Sequence, residues 1–189
     1  MRLFVAIDMP AAICDELSVL QSGVPGARWA GADQLHLTLR FVGEVDPPGF
    51  DELAHALAEV EAPAFEMALK GVGHFPPRGK PRVLWAGVEV QPALLDLQTR
   101  VEAAVVRAGL PADDRRYSPH VTLARFRRPG DVVLVSSYLT EHAAFHTAPF
   151  PVEAFHLYSS HLSQSGAIHT VECSYPLSGA MADWAEPGV

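Results

Sequence analysis

Two tetrapeptides constrain the chain more than anything else in it: His36-Leu37-Thr38-Leu39 and His120-Val121-Thr122-Leu123, 84 residues apart in a chain of 189. Each alternates polar and apolar positions, the pattern of a half-buried strand, so His and Thr point to one face and the two aliphatic residues to the other. With nine His, six Thr and 20 Leu in the chain, a His-x-Thr-Leu match is expected by accident only about 0.03 times. Two matches half a chain apart point to an internal duplication. A fold that serves both copies must therefore contain two similar strand-bearing units.

The rest of the chain reads accordingly. Leu3 to Ile7 is a first apolar strand. Asp8-Met9-Pro10 leads into a helix that runs to about Gln21 and is closed by Gly23 and Pro25. The first motif strand spans 34–42, with His36, Thr38 and Arg40 expected on one face. Leu53, Leu57 and Val60 give helical spacing over 49–61, followed by strands near 64–72 and 82–90. Between those strands, His74 to Pro81 reads as a basic loop. Leu94, Leu97, Val101 and Val105 mark a helix over 92–108, ended by Gly109. A loop bearing Arg115 and Arg116 then precedes the second motif strand, 120–126. A helix near 131–141 and two strands, 149–159 and 167–177, turning at Ser163-Gln164-Ser165-Gly166, complete the domain. The expectation is an α+β fold: two pseudo-symmetric lobes whose antiparallel sheets form a central cleft, with helices packed outside. Residues 1–178 form one bilobal domain, and 179–189 a frayed tail.

Charge narrows the function classes. The net charge of -8 argues against a chain that coats DNA or lies on an anionic membrane. All 14 Lys and Arg nevertheless lie between Arg2 and Arg128, and 12 of them are Arg, the side chain suited to bidentate phosphate contact. Any anion site must draw on the first two thirds of the chain. Only Cys14 and Cys173 are present, too few for a disulfide framework, which suits a reducing, cytoplasmic setting. The apolar opening run is too short for a signal peptide core or a membrane span.

Paired histidines suit chemistry at phosphorus. In-line displacement needs one group to take a proton from the nucleophile and another to give one to the leaving oxygen, and an imidazole does either near neutrality. Thr38 and Thr122 would share the histidine face and hydrogen-bond non-bridging phosphate oxygens, with an Arg offsetting charge. Neither role requires a metal. A zinc site is the competing reading for a His-rich chain, but no His pair is backed by a carboxylate or Cys at ligand spacing. A non-catalytic module that holds an RNA end is another, with Arg78, Lys80, Arg82, Arg115 and Arg116 serving either role.

These tetrapeptides resemble the paired signature of the two-histidine phosphoesterase superfamily. Their surroundings, Arg2-Leu3-Phe4-Val5-Ala6-Ile7-Asp8, His36 to Val45 and Ser118 to Arg125, resemble its RNA 2′,3′-cyclic phosphodiesterase branch, the LigT-like 2′-5′ RNA ligases, over nearly the whole chain. The resemblance implies cofactor-free hydrolysis of RNA 2′,3′-cyclic phosphate to a 2′-phosphate. Reversible 2′-5′ ligation is a possible companion, and small cyclic nucleotides or ADP-ribose 1″,2″-cyclic phosphate are alternative substrates. It also implies His36 and His120 as the catalytic pair, Thr38 and Thr122 as phosphate partners, and Arg125 as the phosphate-binding cation. The residues alone leave open which histidine is the acid; the resemblance favours His36. Arg125 stands five residues after His120, so a bulge or strand end must turn it to the same face. Phe41, at the equivalent place in the first motif, is expected in the core. Where the family shows a Gly followed three residues on by Tyr, this chain has Gly166 and His169. Tyr158 with Ser159 and Ser160 fits the preceding strand. His55, His142, His146, His156 and His161 are assigned to surface or satisfied interior positions, and His74 to the lining of an RNA path. The protein is expected to act as a monomer.

Overall fold

A computed structural model of the protein describes residues 1–162 and 167–179. In chain order it contains β1 (Arg2–Asp8), α1 (Ala11–Val19), β2 (Ala27–Trp29), a 3-10 turn (Ala32–Gln34), β3 (His36–Glu44), α2 (Pro47–Ala58), β4 (Phe65–Met67), β5 (Leu69–Phe75), β6 (Val83–Val88), α3 (Pro92–Arg107), β7 (His120–Phe126), α4 (Val132–Glu141), β8 (Phe150–Val152), β9 (Ala154–Leu162) and β10 (Ala167–Pro176). The expected turn at 163–166 and almost all of the expected frayed tail lie outside the described residues. Among those described, no helix is long and apolar enough to cross a membrane.

The strands hydrogen-bond in the order β10-β9-β1-β3-β7-β6-β5, with β2 added along β7, and every pairing is antiparallel. β3 and β7 meet at one residue pair only, Leu37 with Val121. The two expected sheets are thus two four-stranded halves of one path, hinged at the centre of the duplicated motif. One face of both halves is apolar: Leu3, Val5, Leu37, Leu84, Val121 and Leu123 are at most 1% exposed. α2 and α3 cover that face with Leu53, Leu57, Leu94, Leu97, Val101 and Val105, all in the same core. Each such side chain contributes about 1.5–3 kcal/mol on leaving water. The opposite face carries a separate small buried cluster, Phe4, Ala6 and Tyr158, among polar groups and further rings.

Helix starts follow local chemistry. Asp46 accepts a hydrogen bond from the Gly49 amide at the head of α2, behind Pro47 and Pro48, and Asp131 accepts from the amides of Val133 and Leu134 at the head of α4. The expected strands at 64–72 and 149–159 are each broken in two. Their first parts, β4 and β8, pair with each other as a small separate sheet. β2 was not expected, because three residues carry too little alternation to read.

Two residues expected on particular faces change sides, for one reason. Across β1, Ala6 pairs with Thr38 but Val5 pairs with Arg40, so Leu39 is a bulge and the alternation slips by one residue. Arg40 therefore leaves the histidine face and is buried on the core side, 8% exposed. There its guanidinium meets Glu102 of α3 and the carbonyls of Phe41 and Pro111, with Asp113 at 3.9 Å. Phe41 takes the other direction and is 50% exposed, rather than in the core. His74 belongs to β5, not to the loop. It pairs with Leu84, whose side chain is fully buried on the core side, so His74 faces away from the cleft.

A buried charge that loses its partner is costly. Arg40→Met is expected to lower unfolding free energy in urea by about 3 kcal/mol by stranding Glu102, and adding Glu102→Leu is expected to recover most of it. A loss under about 0.5 kcal/mol would remove Arg40 from the structural role assigned here.

Candidate active site

The site grows from the Leu37–Val121 pair. Continuing its antiparallel register by one residue each way sets His36 across from Thr122 and Thr38 across from His120. All four polar side chains then share the face opposite the core, and all four are partly exposed. The structure thus brings together the four residues that the motif singled out.

Arg125 joins them through a second bulge. Thr122 pairs with Trp85 but Ala124 pairs with Leu84, which leaves Leu123 as the extra residue, at the position equivalent to Leu39. Alternation slips, and Arg125 turns to the histidine face. Its charge is close enough to be among the influences that hold His36, His120 and His169 below their ordinary basicity. Phe41 is the counterpart of Arg125 in the other half, 6.3 Å from Phe4 ring to ring.

The surroundings of the two histidines differ. His36 is packed among rings: Phe4 at 4.9 Å, His169 edge-on at 5.4 Å and Tyr158 at 6.1 Å between centroids. Burial, then the neighbouring His169, push its pKa down to about 4, while Asp8 acts the other way. Asp8 is the cross-strand partner of His36. It accepts a hydrogen bond from the Tyr158 hydroxyl and lies 3.7 Å from Nε2 of His156. That hydrogen bond, with burial, raises the Tyr158 phenol. His156 is also held through Nδ1 by Ser174 at 2.9 Å, the satisfied position expected of it.

His120 stands between Phe75, edge-on at 4.9 Å, and Trp85 at 6.4 Å. Burial lowers its pKa and a hydrogen bond to the Ser118 carbonyl opposes that. The bond joins Nδ1 to that oxygen at 2.7 Å. A carbonyl only accepts, so Nδ1 carries the hydrogen and the neutral ring presents the Nε2 lone pair. Trp85 keeps its place because β5 offers no side chain beneath it: a Cβ on Gly73 would lie 2.2 Å from the indole.

Not every expected basic group is free for a ligand. Arg115 is held by both oxygens of Asp113, at 2.8 and 2.7 Å, and that contact keeps the Asp113 carboxyl well below the usual range. His55, His146 and His161 are exposed, and His142 packs edge-on against Tyr138. His169 and Asp8 were not among the sequence's candidate site residues. Asp8 reaches the site through strand register; His169, which stands where the family shows a Tyr three residues after Gly, sits on β10 opposite Ser160, three strands from β3. No group of three His, Cys, Asp or Glu able to hold a metal ion occurs among the described residues.

Comparison with known proteins identifies the family. A family model of the 2′-5′ RNA ligase superfamily matches residues 9–164. The chain is 35% identical over 191 residues to an RNA 2′,3′-cyclic phosphodiesterase of Thermus thermophilus, covering 95% of this chain and 91% of that one. It is 32% identical over 184 residues to an RNA 2′,3′-cyclic phosphodiesterase of Thermotoga maritima, covering 93% and 96%. Among solved structures, Escherichia coli LigT complexed with 3′-AMP matches with a TM-score of 0.74 at 27% identity, over 94% of this chain and 98% of that one.

The electrostatics give a direct expectation. In the free protein the His36 imidazole should titrate near pH 4 by NMR, against 6.5 for an unperturbed ring. Asp8→Asn should lower that midpoint further, and inorganic phosphate should raise it. The sign extends to stability. Between those two pH values an unfolded chain protonates His36 and the folded one does not, so acidification across that window destabilises the fold. A midpoint near 6.5 would overturn the packed environment described for this ring.

Proposed function

The chain belongs to the 2′-5′ RNA ligase superfamily, and from that premise we propose that its cleft opens the 2′,3′-cyclic phosphate at an RNA end, with His120 as base and His36 as acid. The activity is that of its relatives, hydrolysis of RNA 2′,3′-cyclic phosphate. The observation that carries the residue roles is the central Leu37–Val121 pairing, which sets an imidazole on either side of two hydroxyls.

The cyclic phosphate sits over Thr38 and Thr122, whose hydroxyls donate to its non-bridging oxygens, and the Arg125 guanidinium offsets their charge. Water approaches from the His120 side. Nε2 of His120, left as an acceptor by the bond from Nδ1 to Ser118, takes a proton from the water as its oxygen bonds to phosphorus. The P–O3′ bond breaks on the opposite side, and protonated His36 gives its proton to O3′. The products are a 3′-hydroxyl and a 2′-phosphate, with one water consumed. The two rings regain their starting protonation states through solvent.

Burial keeps His36 neutral in the empty site, so it must gain a proton when the substrate arrives. An anionic phosphate and the Asp8 carboxylate supply the negative field that favours this. The choice of His36 rather than His120 as the acid follows the family resemblance. Phe41, half exposed beside Phe4, offers a stacking surface for the terminal base. With a 5′-hydroxyl in place of water, the same groups would form a 2′-5′ linkage. The reading takes the protein to act as a cytoplasmic monomer on RNA ends rather than on DNA, and its free Cys14 and Cys173 suit a reducing compartment.

A short RNA ending in a 2′,3′-cyclic phosphate, assayed in EDTA, is expected to give the 2′-phosphate. His36→Ala and His120→Ala, each shown folded by circular dichroism, should each slow turnover by about 10²- to 10⁴-fold. Activity indifferent to both substitutions would overturn the acid and base roles. Tight binding of the RNA without turnover would leave a binding module, and preference for a free cyclic nucleotide would move the substrate away from RNA.

A further inference from the structure

Arg28 is the middle residue of β2, and in the antiparallel register of β2 with β7 it is the direct partner of Arg125. Directly opposed residues point to the same side of a sheet. The flanking Ala27 and Trp29 pack against the core, while Arg28 is exposed. Its side chain therefore shares the cleft face with Arg125. Two like charges placed opposite each other destabilise a strand pair, and neither guanidinium has a carboxylate within ion-pair distance among the described residues.

Acids are not scarce, since the chain has 22 Asp and Glu against 14 Lys and Arg. Four arginines find them: Arg40 has Glu102, Arg100 has Asp96, Arg107 has Glu59 and Arg115 has Asp113. What sets Arg28 and Arg125 apart from the other unpaired arginines is that they stand directly opposite each other on one strand pair. An unneutralised pair of arginines at directly opposed backbone positions, on the edge of the proposed cleft, is what an anion from outside would complete. In the mechanism above, Arg125 serves the phosphate under attack. Arg28 lies on the edge of β7 that β3 also uses, three residues along from Thr122, so it is offset from the two threonines along the strand.

We propose that Arg28 binds a second phosphate, the linkage on the 5′ side of the nucleotide that carries the cyclic phosphate. The substrate class is then an oligonucleotide end rather than a nucleoside cyclic phosphate with a free 5′-hydroxyl. This rests on the phosphodiesterase reading and sharpens it.

Three probes separate the contributions: adenosine 2′,3′-cyclic phosphate with a 5′-hydroxyl, a diadenosine dinucleotide ending in the cyclic phosphate, and that dinucleotide with an uncharged methylphosphonate linkage. The third keeps the extra base and removes only the charge. A charge-assisted contact predicts that the native protein favours the charged dinucleotide over the methylphosphonate by about 10- to 100-fold in kcat/KM, expressed mainly in KM. Arg28→Gln should bring that ratio to within about threefold of one, and Arg28→Lys should hold an intermediate value. A native ratio near one, or a ratio that survives Arg28→Gln, would overturn the assignment while leaving the phosphodiesterase reading intact. No turnover of any probe by the native protein would overturn both.

Discussion

A single backbone pairing, Leu37 with Val121, joins the two half-sheets at the centre of the duplicated motif. Both side chains are fully buried, so the junction is anchored on the core side by the apolar face that the helices cover. Because β3 and β7 pair in register at that one position, the two half-sheets can diverge and leave a groove between them. The polar residues on either side of the junction are the four at the groove's floor. One pairing thus sets the seam between the half-sheets and brings the two motif copies together.

The two bulges at Leu39 and Leu123 are the second requirement. Each slips the alternation by one residue just past the Thr, so the residue five positions after His comes round to the groove. In one half this brings Arg125 in. In the other it brings Phe41 in and sends Arg40 out, to tie β3 to α3 through Glu102. The same device supplies a cation, an aromatic surface and a structural ion pair.

This also explains what could and could not be read from the sequence. The duplicated strands, α2, α3, α4 and the antiparallel closing pair were legible because each has many residues in one period. Thr38 and Thr122 were legible because they stand only two residues from their histidines. The requirement for a bulge before Arg125 was visible, yet the same slip applied to the first motif would have exchanged Arg40 and Phe41, and strict alternation concealed it. β2, with Arg28, was too short to show a period. Asp8 stands close to His36 because β1 pairs with β3; His169 was marked by its spacing from Gly166, but its approach to His36 from a strand three places away in the sheet was not. Register across strands distant in sequence has no local signature.

The near-symmetry of the backbone makes its chemical asymmetry informative. The half that holds His36 is lined with Phe4, Tyr158, Phe41 and His169, and the half that holds His120 has Arg125 and Arg28 on its inner edge. Rings desolvate His36 and make its proton costly to hold until an anion arrives; in the proposed reaction that proton is then readily surrendered to the departing oxygen. His120 has its outward nitrogen set as an acceptor by the Ser118 carbonyl before any substrate binds. Two copies of one strand motif would offer two equivalent bases. In the proposed reaction, what would turn them into a donor and an acceptor is the unlike company each keeps, with aromatic groups to receive the nucleoside and guanidinium groups to receive its phosphates.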